Sequence, residues 1–124
     1  MDYYLSEDKE LLTIECKNRN IIVEGDENEV VFMGEAPSAL IKGDGNDLVF
    51  NDGCRIIKVE GDSNKLIFSG DYLSIHVEGD DNEITLTGLG GSIIADGDEN
   101  TIYYNKKKRV SITGDGDDNN LIKR

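Results

Sequence analysis

Apolar residues recur along this chain in period-two pairs, and each pair is closed off by Gly and Asp. Val30 and Phe32, Leu48 and Phe50, Leu66 and Phe68, Ile84 and Leu86, and Ile102 and Tyr104 follow turns of one kind. Ile21 and Val23, Ala39 and Ile41, Ile57 and Val59, Ile75 and Val77, Ile93 and Ala95, and Val110 and Ile112 precede the next turn. Alternation over four or five residues buries one face and leaves the other in solvent, which is the signature of a short strand. No stretch carries a useful length of helical periodicity. The turns repeat as well. Gly25-Asp26-Glu27-Asn28 is followed by Gly43-Asp44-Gly45-Asn46, Gly61-Asp62-Ser63-Asn64, Gly79-Asp80-Asp81-Asn82 and Gly97-Asp98-Glu99-Asn100, each starting 18 residues after the last. A degenerate copy, Gly114 to Asn119, starts 17 residues further on, with two extra residues before its Asn. Gly34, Asp52, Gly70 and Gly88 mark the half-period, so the unit is two unequal nines.

One such strand pair cannot bury its inner face, whereas copies stacked at the ~4.8 Å strand spacing build a continuous core. The pattern predicts an all-β fold, a parallel β-solenoid of about six coils with two short strands per coil and a flattened section. At 124 residues the chain is a single domain, 1–124. Leu12 and Ile14 fit the same columns, so the first coil is expected to begin near Glu7. Residues 1–10 are expected to form a polar N-terminal cap, residues 11–124 the repeats, and Leu121 and Ile122 to start a last partial coil. Stacked in register, Asn28, Asn46, Asn64, Asn82 and Asn100 would form an amide ladder, and Phe32, Phe50 and Phe68 an aromatic stack.

The run Cys54–Phe68, CRIIKVEGDSNKLIF, resembles the coils of bacterial GDxN/GSxN repeat proteins, a domain family of unknown function. Coils of that family read VxVxGSxNxVxV with a period near 18. The resemblance covers about residues 20–104 and implies a β-solenoid, with no activity attached. Here Asp stands in the turn where that family often has Ser.

Charge sharpens the picture. The formal net charge is −13, from 26 acidic and 13 basic residues. Folded on paper, the edge made by the GDxN turns and their flanks gathers eighteen of the acids, Glu24 to Asp118, against only Lys42 and Lys65. Over a length of ~25 Å that is one net negative charge per ~1.6 Å, close to the ~1.7 Å of duplex DNA. Such an edge repels nucleic acid and anionic membrane and suits basic proteins. The expected function is therefore binding without catalysis. The acidic edge would act as a nucleic-acid (DNA) mimic that occupies the groove of a basic nucleic-acid-binding protein, such as a nuclease, gyrase or CRISPR-type immune complex. Asp26, Glu27, Glu29, Asp44, Asp47, Asp62, Asp80, Asp81, Glu83, Asp98 and Glu99 would carry it. The alternative is an interaction solenoid with Ca2+ bridged between Asp26, Asp44, Asp62, Asp80 and Asp98, because calcium-binding β-rolls also take 18 residues per coil. That motif differs here, with one Gly-Asp per coil and no paired glycine. No other cofactor is expected.

Several features point to less. Val31, Val49, Ile67 and Tyr103, with Thr13 and Thr85 interspersed, form an apolar outward row that offers a lateral interface, including a homodimer. Ile22, Leu40 and Ile94 make a weaker second row. Lys106-Lys107-Lys108-Arg109 is a basic corner. His76 is the only histidine, expected outward and without a partner to orient it, so acid–base catalysis is not expected. There is no Ser/His/Asp set, no phosphate loop and no Cys/His metal spacing. The turns are too short to build a polysaccharide groove, and Thr13, Thr85 and Thr101 form no flat ice-binding row. Cys16 and Cys54 fall about two coils apart on different columns, beyond the ~7 Å reach of a disulfide. No apolar run approaches a membrane span. Met1 to Leu12 has neither the basic nor the apolar region of a secretory signal, so a cytoplasmic location is expected.

Overall fold

A computed structural model of the chain describes residues 2–105, 111–113 and 119–123. In chain order the strands are β1 (Asp2–Leu5), β2 (Leu11–Glu15), β3 (Asn20–Glu24), β4 (Glu29–Met33), β5 (Ala36–Lys42), β6 (Asp47–Phe50) and β7 (Cys54–Glu60). They continue as β8 (Lys65–Phe68), β9 (Ser74–Glu78), β10 (Glu83–Leu86), β11 (Ser92–Ala95), β12 (Thr101–Tyr104), β13 (Ser111–Thr113) and β14 (Asn120–Lys123). The odd strands form one seven-stranded sheet and the even strands a second. The strand pairings are parallel, and most carry an offset of 18, as in Ile21↔Ala39 and Leu48↔Leu66. The molecule is a β-solenoid of about six turns, with seven pairs of strands and two strands per coil, as the repeat predicts.

Alternation sets the core. Ile21, Ala39, Ile57, Ile75 and Ile93 line up inside the odd sheet, with Val23, Ile41, Val59, Val77 and Ala95 beside them, all buried. The even sheet supplies Val30, Leu48, Leu66, Ile84 and Ile102, then Phe32, Phe50, Phe68, Leu86 and Tyr104. Phe32, Phe50 and Phe68 stack with centroids 4.5 and 4.6 Å apart. The half-period corner is closed by buried Cys16, Ala36, Cys54 and Tyr72. Both cysteines are free thiols.

Two ends depart from expectation. The sheet begins earlier than Glu7, and residues 1–10 are more than a cap. Tyr3 pairs with Ile21 and Leu5 with Val23, so β1 is a full strand of the first coil, and Leu5 is buried. Glu7 to Glu10 form its turn: the Asn28 side chain donates to the Glu7 carbonyl, and the Glu10 amide donates to Asn28 Oδ1. At the other end the offset grows to 19, with Ser92 opposite Ser111 and Thr101 opposite Asn120. The extra residue lets Asn119 take the next place in the asparagine column, where its Oδ1 accepts from the Asn100 amide. The basic corner Lys106 to Arg109, Val110, and Gly114 to Asp118 with its three acids lie outside the described residues.

Candidate functional site

The GDxN corner is built by two ladders that run in opposite directions. The inner one is asparagine. Asn28, Asn46, Asn64, Asn82 and Asn100 are 0–1 % exposed. The backbone N–H of Asn28 donates to Asn46 Oδ1, that of Asn46 to Asn64 and that of Asn64 to Asn82, at 2.9–3.0 Å. Each Nδ2 donates backwards to a turn carbonyl, as Asn64 does to Gly43 at 2.8 Å. A buried amide is tolerated only when donor and acceptor are both used, and here both are.

The outer ladder is aspartate. The Asp44 amide donates to Asp26 Oδ1, that of Asp62 to Asp44, that of Asp80 to Asp62 and that of Asp98 to Asp80, at 2.8–2.9 Å. Asp8 starts the series by accepting from the Asp26 amide. Stacking carboxylates at the strand spacing costs repulsion, and charge-assisted bonds from backbone amides offset it. The third turn position takes a left-handed conformation, with φ of 58° at Glu27, 57° at Ser63 and 68° at Gly45. The first position must be glycine at Gly61, because a Cβ there would sit 1.9 Å from the Gly43 carbonyl oxygen.

The eleven acids expected on this edge, Asp26, Glu27, Glu29, Asp44, Asp47, Asp62, Asp80, Asp81, Glu83, Asp98 and Glu99, are all exposed and fall along one side. Glu29, Asp47, Lys65, Glu83 and Thr101 are register neighbours, so Lys65 lies between two acids. On the other flank Lys42, Glu60 and Glu78 share a column. Lys58 Nζ lies 3.0 Å from Glu60 Oε1, and this contact holds the Glu60 carboxyl below its usual range. Charge is dense along the turn tips and partly balanced beside them.

The five aspartates considered for calcium use Oδ1, or an amide, on each other. Among the described residues they form no group of three converging ligand atoms; the group that does converge is His76, Glu78 and Asp96. His76 is therefore not without partners. Its Nε2 lies 2.6 Å from Asp96 Oδ2 and 3.3 Å from Glu78 Oε1. The signal was present in the columns, since His76 and Glu78 are two apart on one strand and Asp96 is one period beyond Glu78.

Val31, Val49, Ile67, Thr85 and Tyr103 form one half-buried column on the outer face of the even sheet. The row of Ile22, Leu40 and Ile94 is interrupted by Lys58 and His76. At the opposite corner, burial pushes the Cys54 thiol up to about 12, with nearby Cys16 adding to it.

Comparison with known proteins adds one finding. Residues 77–122 match the family model described as a protein of unknown function (DUF3060). The matched stretch runs from the end of β9 into β14 and covers the last turns of the solenoid. No curated protein and no solved structure matches the chain. Among the described residues no helix is long and apolar enough to cross a membrane.

Proposed function

We propose that this chain is a non-enzymatic binding protein whose acidic turn edge acts as a nucleic-acid mimic, occupying the basic groove of a nucleic-acid-binding protein. The observation that carries the reading is the aspartate ladder. Asp26, Asp44, Asp62, Asp80 and Asp98 stand one coil apart at a regular ~4.8 Å step, and the first four carboxylates each accept the backbone amide of the next aspartate. A partner built for phosphates meets fixed anions rather than floppy side chains, so little ordering entropy opposes binding. The inhibited partner would be a nuclease, a topoisomerase such as gyrase, or a CRISPR-type immune complex, and nucleic acid itself would be excluded.

The test uses a variant that removes charge and keeps geometry. In Asp44→Asn/Asp62→Asn/Asp80→Asn each side chain retains an Oδ1 acceptor for the next amide. The immobilised wild-type chain is expected to retain DNA-binding proteins from a nucleic-acid-depleted bacterial extract, and duplex DNA or added salt should release them. The triple variant should lose at least about tenfold in retention, since three close charge pairs are each worth more than ~0.5 kcal/mol at a desolvated interface. Retention that ignores DNA competition, or that survives in the variant, rejects the reading.

A further inference from the structure

The cluster on the outer face of the odd sheet lies off the turn tips and is not used by the acidic ladder. His76 and Glu78 project from the same side of β9, and Asp96 follows β11 directly, beside Glu78. Backbone bonding fixes the positions: the Asp96 amide donates to the Val77 carbonyl at 2.9 Å, and the Gly61 amide donates to that of Glu78 at 3.1 Å. The three ligand atoms all lie within 4.8 Å of one another. They are His76 Nε2, Glu78 Oε1 and Asp96 Oδ2, from side chains 30–44 % exposed.

Proton bookkeeping singles this cluster out. An imidazole Nε2 carries at most one hydrogen, and an ionised carboxylate only accepts. With Nε2 unprotonated all three atoms offer a lone pair to one point, and a cation at the centre would be held by all of them at once. With the imidazole neutral the three groups carry a formal charge of −2, matching a divalent ion. The geometry points to a mononuclear transition-metal site, with zinc the expected occupant, held by His76, Glu78 and Asp96 and completed by water on the solvent side. One nitrogen and two carboxylate oxygens suit zinc, whereas calcium and magnesium prefer oxygen alone. Ligands bound at ~2.0–2.1 Å in a tetrahedron stand about 3.3 Å apart. Glu78 already stands 3.3 Å from Nε2, and Asp96 moves out from 2.6 Å by rotating an exposed side chain. Lys58, one coil below His76, has its ammonium engaged 3.0 Å from Glu60. The ion would staple adjacent coils across β9 and β11.

The experiment is calorimetric titration of zinc chloride into the tag-free, chelator-stripped full chain. The expected result is saturable uptake of one equivalent, with a rise in melting temperature. His76→Asn should weaken zinc binding at least about tenfold with the circular dichroism spectrum unchanged. The same column already holds Lys58 and Ile94, so the position tolerates other side chains. Should that variant fail to fold, Glu78→Gln serves in its place. Cobalt(II) added to the wild type should give a visible ligand-field band that the variant lacks. Absence of saturable uptake, equal affinity in the variant, or equal displacement by calcium overturns the site.

Discussion

Asn64 and Asp62 sit two residues apart in the same turn and carry opposite consequences. Asn64 is buried, accepts from the Asn46 amide and donates to the Gly43 carbonyl. Asn64→Ala strands both partners in a dry corner and should cost about 2–5 kcal/mol in denaturant unfolding. Asp62→Asn keeps the bond to the Asp80 amide while removing one charge from the stack. Its stability should stay within about 0.5 kcal/mol of wild type or rise; a loss as large as that of Asn64→Ala would show that the carboxylate is structural. The Tyr72 hydroxyl is buried with no hydrogen-bond partner among the described residues. Tyr72→Phe should therefore be neutral or stabilising by up to about 1 kcal/mol. Burial also pushes the Tyr72 phenol and the Cys54 thiol each up to about 12. Both are held protonated in the fold, so their contribution is intact below the unfolded-chain values near 9–10 and is lost as pH climbs toward 12. Melting temperature should fall across that window, and Cys54→Ala should flatten the fall; an unchanged slope would show that the thiol plays no part in it.

Turns and strands differ in how plainly they can be read. The five GDxN corners announce themselves because their chemistry is local: a glycine where the backbones touch, a left-handed third position, an asparagine turned inward. Gly61→Ala tests that logic, since its Cβ would meet the Gly43 carbonyl oxygen at 1.9 Å with φ at 153°. It should unfold or strongly destabilise the chain in a thermal melt, whereas Ser63→Gly, at φ 57°, should be tolerated. The first coil hides for the converse reason. Glu7-Asp8-Lys9-Glu10 has neither the glycine nor the asparagine, yet Asp8 and Lys9 make the same ladder bonds to the next coil. Neighbours supply the geometry that the local residues do not signal, and only adding 18 to Tyr3 and Leu5 reveals β1. The half-period corner is obscure because its fillers vary: Cys16, Ala36, Cys54 and Tyr72 occupy the corner by volume, with no shared motif. Gly90 is small because the Tyr72 ring lies 1.9 Å from where its Cβ would be.

Across the entire rod, charge is the strongest influence. A net −13 on 124 residues, concentrated on one edge, raises the energy of the folded state by self-repulsion. Screening should relieve it, and the melting temperature should rise as sodium chloride increases from about 10 mM to 500 mM, where the Debye length shrinks from ~30 Å to below ~8 Å. A flat or falling profile would mean that the amide bonds to the aspartates already cancel the repulsion. The same screening should weaken capture by a basic partner, so stability and binding are expected to move in opposite directions with salt. A structural role for the edge alone predicts only the first trend.

Fold class, coil period, the inside and outside of almost every strand, and the stacking of asparagines and phenylalanines followed from the sequence alone. The reason is geometric: with period two along a strand and 18 between coils, the neighbour of any residue is known by arithmetic. Tertiary structure alone decided what the side-chain atoms do once they are neighbours. It turned each Asp Oδ1 onto the next turn amide, brought His76 Nε2 between Glu78 and Asp96, and let the last coil slip to an offset of 19. Repeats specify which residues meet; rotamers, and which atoms those side chains turn toward each other, are settled only where neighbouring strands and their corners come together in space.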